Sequence, residues 1–213
     1  YTGGNWYWLD HRSGSMGTGW IKADDGKWYL MDESGSMLIG WQKRGAWYHL
    51  APSGVMETGW LRSGGSWYWL DRDSGAMQIG WIKDDNGKWW FAEGSGALST
   101  SARWVMGNGG SWYRIDSNGA MTTGWRYVSD CWYWLDPPLN GEMAANKLVI
   151  DNGTYYWCDS SGAMIRNSWC KDDTWHWASG SGAIASGWIK AGGSWYWPDP
   201  SDPKHPMLTG LQT

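Results

Sequence analysis

The chain contains one Phe, three Cys and seven Pro among 213 residues. No apolar run approaches the roughly 18–20 residues that cross a bilayer, which excludes a transmembrane helix. Three Cys are too few for a disulfide framework, so bridges are not what holds the fold. A basic surplus is also lacking. The 17 Lys and Arg against 21 Asp and Glu leave a net charge of −4. That balance argues against nucleic acid, whose phosphates need a basic stripe, and suits a cationic ligand. The motifs of common catalysts are missing: there is no H-E-x-x-H, no P-loop and no G-x-S-x-G elbow. His11, His49, His176 and His205 are scattered without metal-ligand spacing, so neither a metal nor a cofactor is expected. Asp10, Asp71, Asp116, Asp136, Asp159 and Asp199 recur at one repeat position. A recurrent carboxylate there suits a turn, whereas acid–base chemistry needs one unique pair in divergent environments.

In place of those features there are 24 Trp, 11 Tyr and 32 Gly. An indole combines an apolar body with one N–H donor and suits half-exposed contact surfaces. The Trp are periodic, and such self-similarity decides the fold. GWLRSGGSWYWLDRDSGAMQI (Gly59 to Ile79) and GWIKADDGKWYLMDESGSMLI (Gly19 to Ile39) are two copies of one unit. The opening Trp recurs at Trp20, Trp41, Trp60, Trp81, Trp104, Trp125, Trp169 and Trp188, with Leu148 and Leu211 filling two further slots, in steps of 19 to 23 residues. The expected organisation is a single module over 1–213. It comprises a half-repeat at 1–18, repeats starting near 19, 40, 59, 80, 103, 124, 147, 168 and 187, and a Pro-rich capping tail at 198–213.

Within each copy two short aromatic runs flank Gly-Gly, Asn-Gly or Asp-Gly. This predicts a β-hairpin, because those residues tolerate positive φ. Side chains alternate along a strand, so Trp67 and Trp69 share one face while Tyr68 and Leu70 share the other. The aliphatic slot after the opening Trp (Ile21, Leu61, Ile82, Val105, Val149, Ile189) and the fourth slot of strand two (Leu9, Met31, Leu50, Leu70, Ile115, Leu135) are expected to form a thin core. Cys158 and Cys170 fall in these slots. They read as buried thiols acting as small apolar residues, with a disulfide between them left open. Cys131 reads as a turn substitution. A lone hairpin is marginal in water, so the expected fold is all-β: a solenoid of about ten stacked hairpins, each resting on its neighbours.

The grammar G-W-x-x-x-x-G-x-W-Y-W-L-D-x-x-S-G-A-M closely resembles the choline-binding repeats of Gram-positive surface proteins, autolysins and phage lysins. The resemblance covers essentially the whole chain, and it implies a left-handed superhelix with choline held between consecutive copies. It further implies cages made of the opening Trp, the first strand-two aromatic, the linker Met and the third strand-two aromatic of the next copy. Carried over, these are Trp41, Trp47, Met56 and Trp69; Trp60, Trp67, Met77 and Phe91; Trp104, Trp112, Met121 and Trp134; Trp125, Trp132, Met143 and Trp157; and Trp169, Trp175, Ile184 and Trp197. The chemistry is consistent. A quaternary ammonium has no N–H to donate and is held by the negative faces of aromatic rings, within about 6 Å of the ring centre.

Weaker candidates are Trp20, Trp28 and Met37, whose junction would meet His49, and Trp81 and Trp89, which would meet Arg114. The copy opened by Leu148 would leave Tyr155 and Trp177 an incomplete site, and Trp188 with Trp195 lacks a following strand-two aromatic. The resemblance implies a non-catalytic anchor for choline or phosphocholine on teichoic or lipoteichoic acid, secreted and wall-associated, or part of a phage lysin. Tyr1 falls inside the repeat pattern and no signal peptide is visible. The sequence therefore reads as a piece of something longer, in which a peptidoglycan hydrolase or another domain could precede it. Indole faces also stack on sugars, so a glucan-binding module is the alternative. A homodimer stays open.

Overall fold

In a computed structural model, residues 1, 3–138 and 140–208 are described. Leu211, expected to fill the last opening slot, and the tail beyond Leu208 lie outside the described residues. The described residues are all-β. Nine antiparallel hairpins follow one another in sequence: β1 (Gly19–Lys22) with β2 (Trp28–Met31), β3 (Gly40–Arg44) with β4 (Ala46–Leu50), β5 (Gly59–Ser63) with β6 (Ser66–Leu70), β7 (Gly80–Lys83) with β8 (Trp89–Ala92), β9 (Arg103–Met106) with β10 (Trp112–Ile115), β11 (Gly124–Val128) with β12 (Cys131–Asp136), β14 (Lys147–Asp151) with β15 (Thr154–Cys158), β16 (Ser168–Lys171) with β17 (Trp175–Ala178), and β18 (Ile189–Ala191) with β19 (Ser194–Tyr196). A two-residue strand, β13 (Glu142–Met143), extends the β11–β12 pair to three strands. Among these residues no helix is long and apolar enough to cross a membrane.

The turns explain the hairpins. Ser63 pairs with Ser66 across Gly64 and Gly65, at φ +57° and +84°, the doubly left-handed conformation that matches strand twist. The second Gly-rich segment of each copy is built on the recurrent Asp. Asp32 Oδ1 accepts from the Ser34 amide at 2.8 Å, the Ser34 hydroxyl at 2.7 Å and the Ser36 amide at 2.9 Å. Asp71 and Asp159 do the same with Ser74 and Ser161. The recurrent carboxylates at these positions make turns.

The described residues gather into two compact units. One takes Tyr1–Ser101 with Ser117–Ala120, and the other takes Ala102–Asp116 with the chain from Met121 onward. Within each unit the linker of one copy is hydrogen-bonded to the hairpin before it. The Met56 amide donates to the Trp28 carbonyl and the Met77 amide to the Trp47 carbonyl, both at 2.8 Å. In the other unit the amides of Met164 and Met207 donate to the carbonyls of Trp132 and Trp175, both at 2.7 Å. The residue after each Met turns back to its own hairpin, as Gln78 does to the Trp69 carbonyl at 2.9 Å. A linker thus stitches two consecutive copies together.

The same stitch sets a close approach. Gly75 has φ +73°, and a Cβ there would lie 2.5 Å from Met56 Sδ. Only glycine fits both the backbone and the thioether at that position.

The core is thin, as the fourth-slot pattern requires. Leu50, Leu70, Ile115, Leu135 and Cys158 are fully buried, whereas Leu9 of the half-copy is exposed. Ile82, Val105, Val149 and Ile189 pack from the slot after the opening residue. Cys158 and Cys170 are free thiols in separate core clusters, and Cys131 opens β12 opposite Val128. Burial pushes both the Cys158 and Cys170 thiols up to about 12, which keeps them protonated and apolar.

Candidate functional site

Each hairpin has two unlike faces. In β5–β6, Trp60 pairs with Trp69 and Arg62 with Trp67, while Leu61 pairs with Tyr68. Alternation therefore puts Trp60, Trp67 and Trp69 on one side and Leu61, Tyr68 and Leu70 on the other. Within each unit the Trp side of one hairpin meets the opposite, second-slot side of the next, as Trp41 meets Tyr68, Trp60 meets Trp90 and Trp125 meets Tyr156.

The result is a recurring corner. Trp41 and Trp47 stand 6.4 Å apart, nearly perpendicular at 86°, and Tyr68 of the following hairpin stands 4.9 Å from Trp41. Met77 completes a cavity of about 260 Å³, held there by the hydrogen bond that its backbone N–H donates to the Trp47 carbonyl. The Trp41 Nε1–H donates to Ser63 Oγ of the next hairpin at 3.1 Å, which fixes the ring. Trp60, Trp67, Trp90 and Leu98 line a larger cavity of about 430 Å³ whose rim includes Ser66 and Thr100. Trp169, Trp175, Tyr196 and Met207 line one of about 400 Å³. Trp125 lies 6.5 Å from Trp132 and 5.0 Å from Tyr156, with Met164 bonded to the Trp132 carbonyl. Trp20 lies 6.5 Å from Trp28 and 4.9 Å from Tyr48, with Met56 bonded to Trp28. Trp104 lies 5.0 Å from Tyr133, and Trp112 is about two-fifths exposed.

These groupings differ from those carried over from the resemblance in two regular ways. The wall supplied by the next copy is its second strand-two aromatic, not its third. The apolar linker residue also comes from the next copy, one step later than expected. Met56 thus leaves the Trp41 corner for that of Trp28, Met77 leaves Trp67 for Trp47, Met143 lies in β13 beside β10, and Met207 stands by Trp175 where Ile184 was expected. The amides of Met37 and Ile184 donate to the carbonyls of Trp6 and Tyr155. Met121 bridges Ile115 of its own copy.

The displaced third aromatics stay in their own hairpins behind the opening Trp. Trp69 is 5.0 Å from Trp60, Trp134 is 5.2 Å from Trp125, Phe91 is 5.2 Å from Trp81 and Trp197 is 4.9 Å from Trp188. Trp69, Trp134 and Trp157 are buried at 5, 8 and 6 % exposure. The physical reason is the two-residue period of a strand: Trp69 shares the face of Trp60 and cannot also face the preceding hairpin.

The unusual copies are also rearranged. Tyr48, not His49, faces Trp20, while His49 stacks edge-on against Trp41 and hydrogen-bonds Glu57. The Arg114 guanidinium lies 5.6 Å over Trp104, its cross-strand partner. Trp177 packs 5.0 Å from Trp169. In the Leu148 copy the wall slot of the next hairpin holds His176, fully buried, with Nε2 3.1 Å from Asp172 Oδ1 and Nδ1 3.0 Å from the Lys204 carbonyl. Trp188 and Trp195 stand 6.4 Å apart at 89° and are mostly exposed.

The rings already attract cations of the chain itself. Lys22, Lys43, Lys83, Lys171 and Lys190 each place Nζ 5.5–5.9 Å from the ring centre of the facing Trp. Three ring walls and a thioether offer negative π faces and apolar contact to a methylated cation. Among the described residues no group of His, Cys, Asp and Glu could hold a metal ion.

The walls that sequence reasoning assigned elsewhere (Tyr48, Tyr68, Trp90, Tyr133, Tyr156 and Tyr196) carry a legible signal. They are the aromatics that alternate onto the face opposite the opening Trp.

Comparison with known proteins gives a consistent answer. The choline-binding repeat profile matches residues 38–79. The profile described as a putative cell wall binding repeat matches residues 18–37, 79–98, 103–121, 123–137, 146–164 and 186–199. No curated protein matches significantly. Among solved structures, CbpJ from Streptococcus pneumoniae is 27 % identical with a TM-score of 0.68, over 97 % of this chain and 85 % of that one. Choline binding protein F from Streptococcus pneumoniae, solved in the presence of a peptidoglycan analogue, is 36 % identical with a TM-score of 0.57, over 78 % of this chain and 56 % of that one. The modular autolysin LytC from the same organism shares the fold at 24 % identity and a TM-score of 0.67, and this chain spans 46 % of its length. With repeat profiles matching more than half of its residues, the chain belongs to the choline-binding, cell-wall-binding repeat family.

Proposed function

We propose that the intact corners between consecutive hairpins within each unit take the trimethylammonium of one choline apiece, and that the module anchors a secreted protein to phosphocholine on wall teichoic or lipoteichoic acid. The observation that carries this reading is the perpendicular Trp pair, closed by an aromatic and a thioether of the next copy, at Trp41, Trp47, Tyr68 and Met77. A trimethylammonium fits such a box because it is attracted by several ring faces at once and needs no hydrogen-bond acceptor. One corner is weak, but several on a polymer gain avidity through effective concentration.

The module itself catalyses nothing in this reading, and any lytic chemistry belongs to another part of a longer protein. The test is retention on choline-decorated walls. Millimolar free choline elutes the module if the reading holds. Retention in excess choline, or binding to dextran that choline does not relieve, overturns it.

A further inference from the structure

The corner between β16–β17 and β18–β19 is closed by an unusual linker. Trp169 and Trp175 stand 6.5 Å apart at 87°, Tyr196 lies 4.8 Å from Trp169, and Met207 and Leu208 complete the cavity. The turn from Asp199 to Met207 spans eight positions, where that from Asp159 to Met164 spans five. The residue two before the apolar linker residue also differs. It is Gly162 and Gly182 in the two preceding linkers, at φ +87° and +91°, but His205 here, at φ +50°. A side chain is disfavoured in that left-handed region, so a linker built this way needs an extra hold.

The two hairpins before it, β11–β12 and β14–β15, hold the linker of the following copy by a backbone bridge, Tyr133 to Ala163 and Tyr156 to Ala183. Among the described residues no such bridge joins His176, in the same slot of β17, to the last linker. Its side chain makes the link instead. His176 Nδ1–H donates to the Lys204 carbonyl at 3.0 Å, since a carbonyl can only accept. Nε2 is held on the other side of the ring, 3.1 Å from both the Thr174 hydroxyl and Asp172 Oδ1. Asp172 also accepts from the Thr174 amide at 2.9 Å, so the turn between β16 and β17 fixes the ring. The ring is fully buried, where a lost partner is not replaced by water. Three residues beyond Lys204, the Met207 amide donates to the Trp175 carbonyl at 2.7 Å. The hold on Lys204 and the seat of Met207 thus belong to one short segment.

We propose that His176 is a positioning residue for choline: it holds the extended linker by the Lys204 carbonyl, so that Met207 closes the corner of Trp169, Trp175 and Tyr196. The proposal rests on the choline reading above. Strand alternation puts His176 on the face away from Trp175, so it acts through Met207 without touching the head group. The substitution that removes an aromatic wall from the Leu148 junction therefore secures the thioether of the next one.

The test uses the full chain and follows choline corner by corner, through the NMR contacts of its trimethyl protons. His176→Leu removes both polar arms of the ring, and His176→Gln keeps a donor for the Lys204 carbonyl. In His176→Leu the contacts to the Met207 methyl are expected to vanish, and affinity at that corner to fall about threefold to fivefold. His176→Gln is expected to stay nearer the parent chain. Met207→Ala is expected to give the same fall, and adding His176→Leu to it no further loss, because both act through one contact. Contacts at Trp125, Trp132 and Met164 are expected to persist in every variant, which shows that the unit is folded. Undiminished Met207 contacts in His176→Leu, a further loss in the double variant, or a Gln variant as weak as the Leu variant overturns the positioning role. The Met207 methyl resonance, displaced by the currents of the neighbouring rings, reads the same seat without ligand. If the parent chain shows no choline contacts, the choline reading fails. A methyl resonance left in place by His176→Leu then overturns the hold on the linker separately, and one that moves upholds it.

Discussion

Two neighbouring junctions of the same unit differ at the positions that matter. At the first, Trp125 and Trp132 meet Tyr156 and Met164. At the second, Leu148 and Tyr155 are followed by His176 and Ile184. The changes are matched across hairpins: where one hairpin loses its opening Trp, the next loses the aromatic of its second strand-two slot. The third-slot residue Trp177 is kept, because its partner is Trp169 of its own hairpin at 5.0 Å. The comparison teaches that the second slot serves the corner while the third serves the core.

The largest expected effect tests the core half of that statement. Trp134→Ala removes an indole 8 % exposed that packs with Ala144, Val149 and Cys158, so unfolding free energy should fall by about 3–5 kcal/mol. Urea denaturation reads this, and an unchanged midpoint would place Trp134 outside the core.

Next comes the wall half. Trp132→Ala should weaken choline at its corner by about 30-fold, the worth of roughly 2 kcal/mol of desolvated cation–π contact. Tyr156→Leu should weaken it by about threefold to fivefold, or about 0.5–1 kcal/mol, with little change in stability. Calorimetric titration separates the two. Equal effects of Tyr156→Leu on stability and on binding would erase the distinction between the slots.

A smaller, opposite effect is a gain. Leu148→Trp combined with His176→Tyr rebuilds the missing box, and the choline stoichiometry should rise by about one site. No added site would mean that ring placement alone does not make a corner.

Smallest is the acid response. The Ser34 hydroxyl and Ser36 amide hold the Asp32 carboxyl below its ordinary value, and the Ser201 hydroxyl and amide do the same for Asp199. Both carboxylates are ionised and bonded in the folded state. Their contribution is therefore present above the unfolded value of 3.8 and is lost as pH falls through the lower folded values. Thermal midpoints should be level near neutrality and drop only below about pH 4. Loss of stability already near pH 6 would point to other groups.

Much of this was legible in the residues. Gly-Gly and Asn-Gly turns located the hairpins, the Asp-x-Ser-Gly segments located the second turns, and the aliphatic slots located the core. The face alternation of Trp67, Tyr68 and Trp69 also held the wall assignment: a ring reaching back to the preceding hairpin must come from the face opposite Trp60, which is that of Tyr68. The expectation named Trp69 because the pattern taken over from the family outweighed that alternation. The linker step was less accessible. That Met77 belongs with Trp47 depends on an amide–carbonyl bond between copies, and spacing along the chain is equally compatible with either neighbour.

The central claim is that rings of consecutive hairpins enclose a methylated cation. Nuclear Overhauser contacts from the trimethyl protons of bound choline test it most directly. Contacts to Trp41, Trp47, Tyr68 and the Met77 methyl, and none to Trp69 or Met56, are the expected result. Contacts to Trp69 and Met56 in their place, or to no indole, would contradict it.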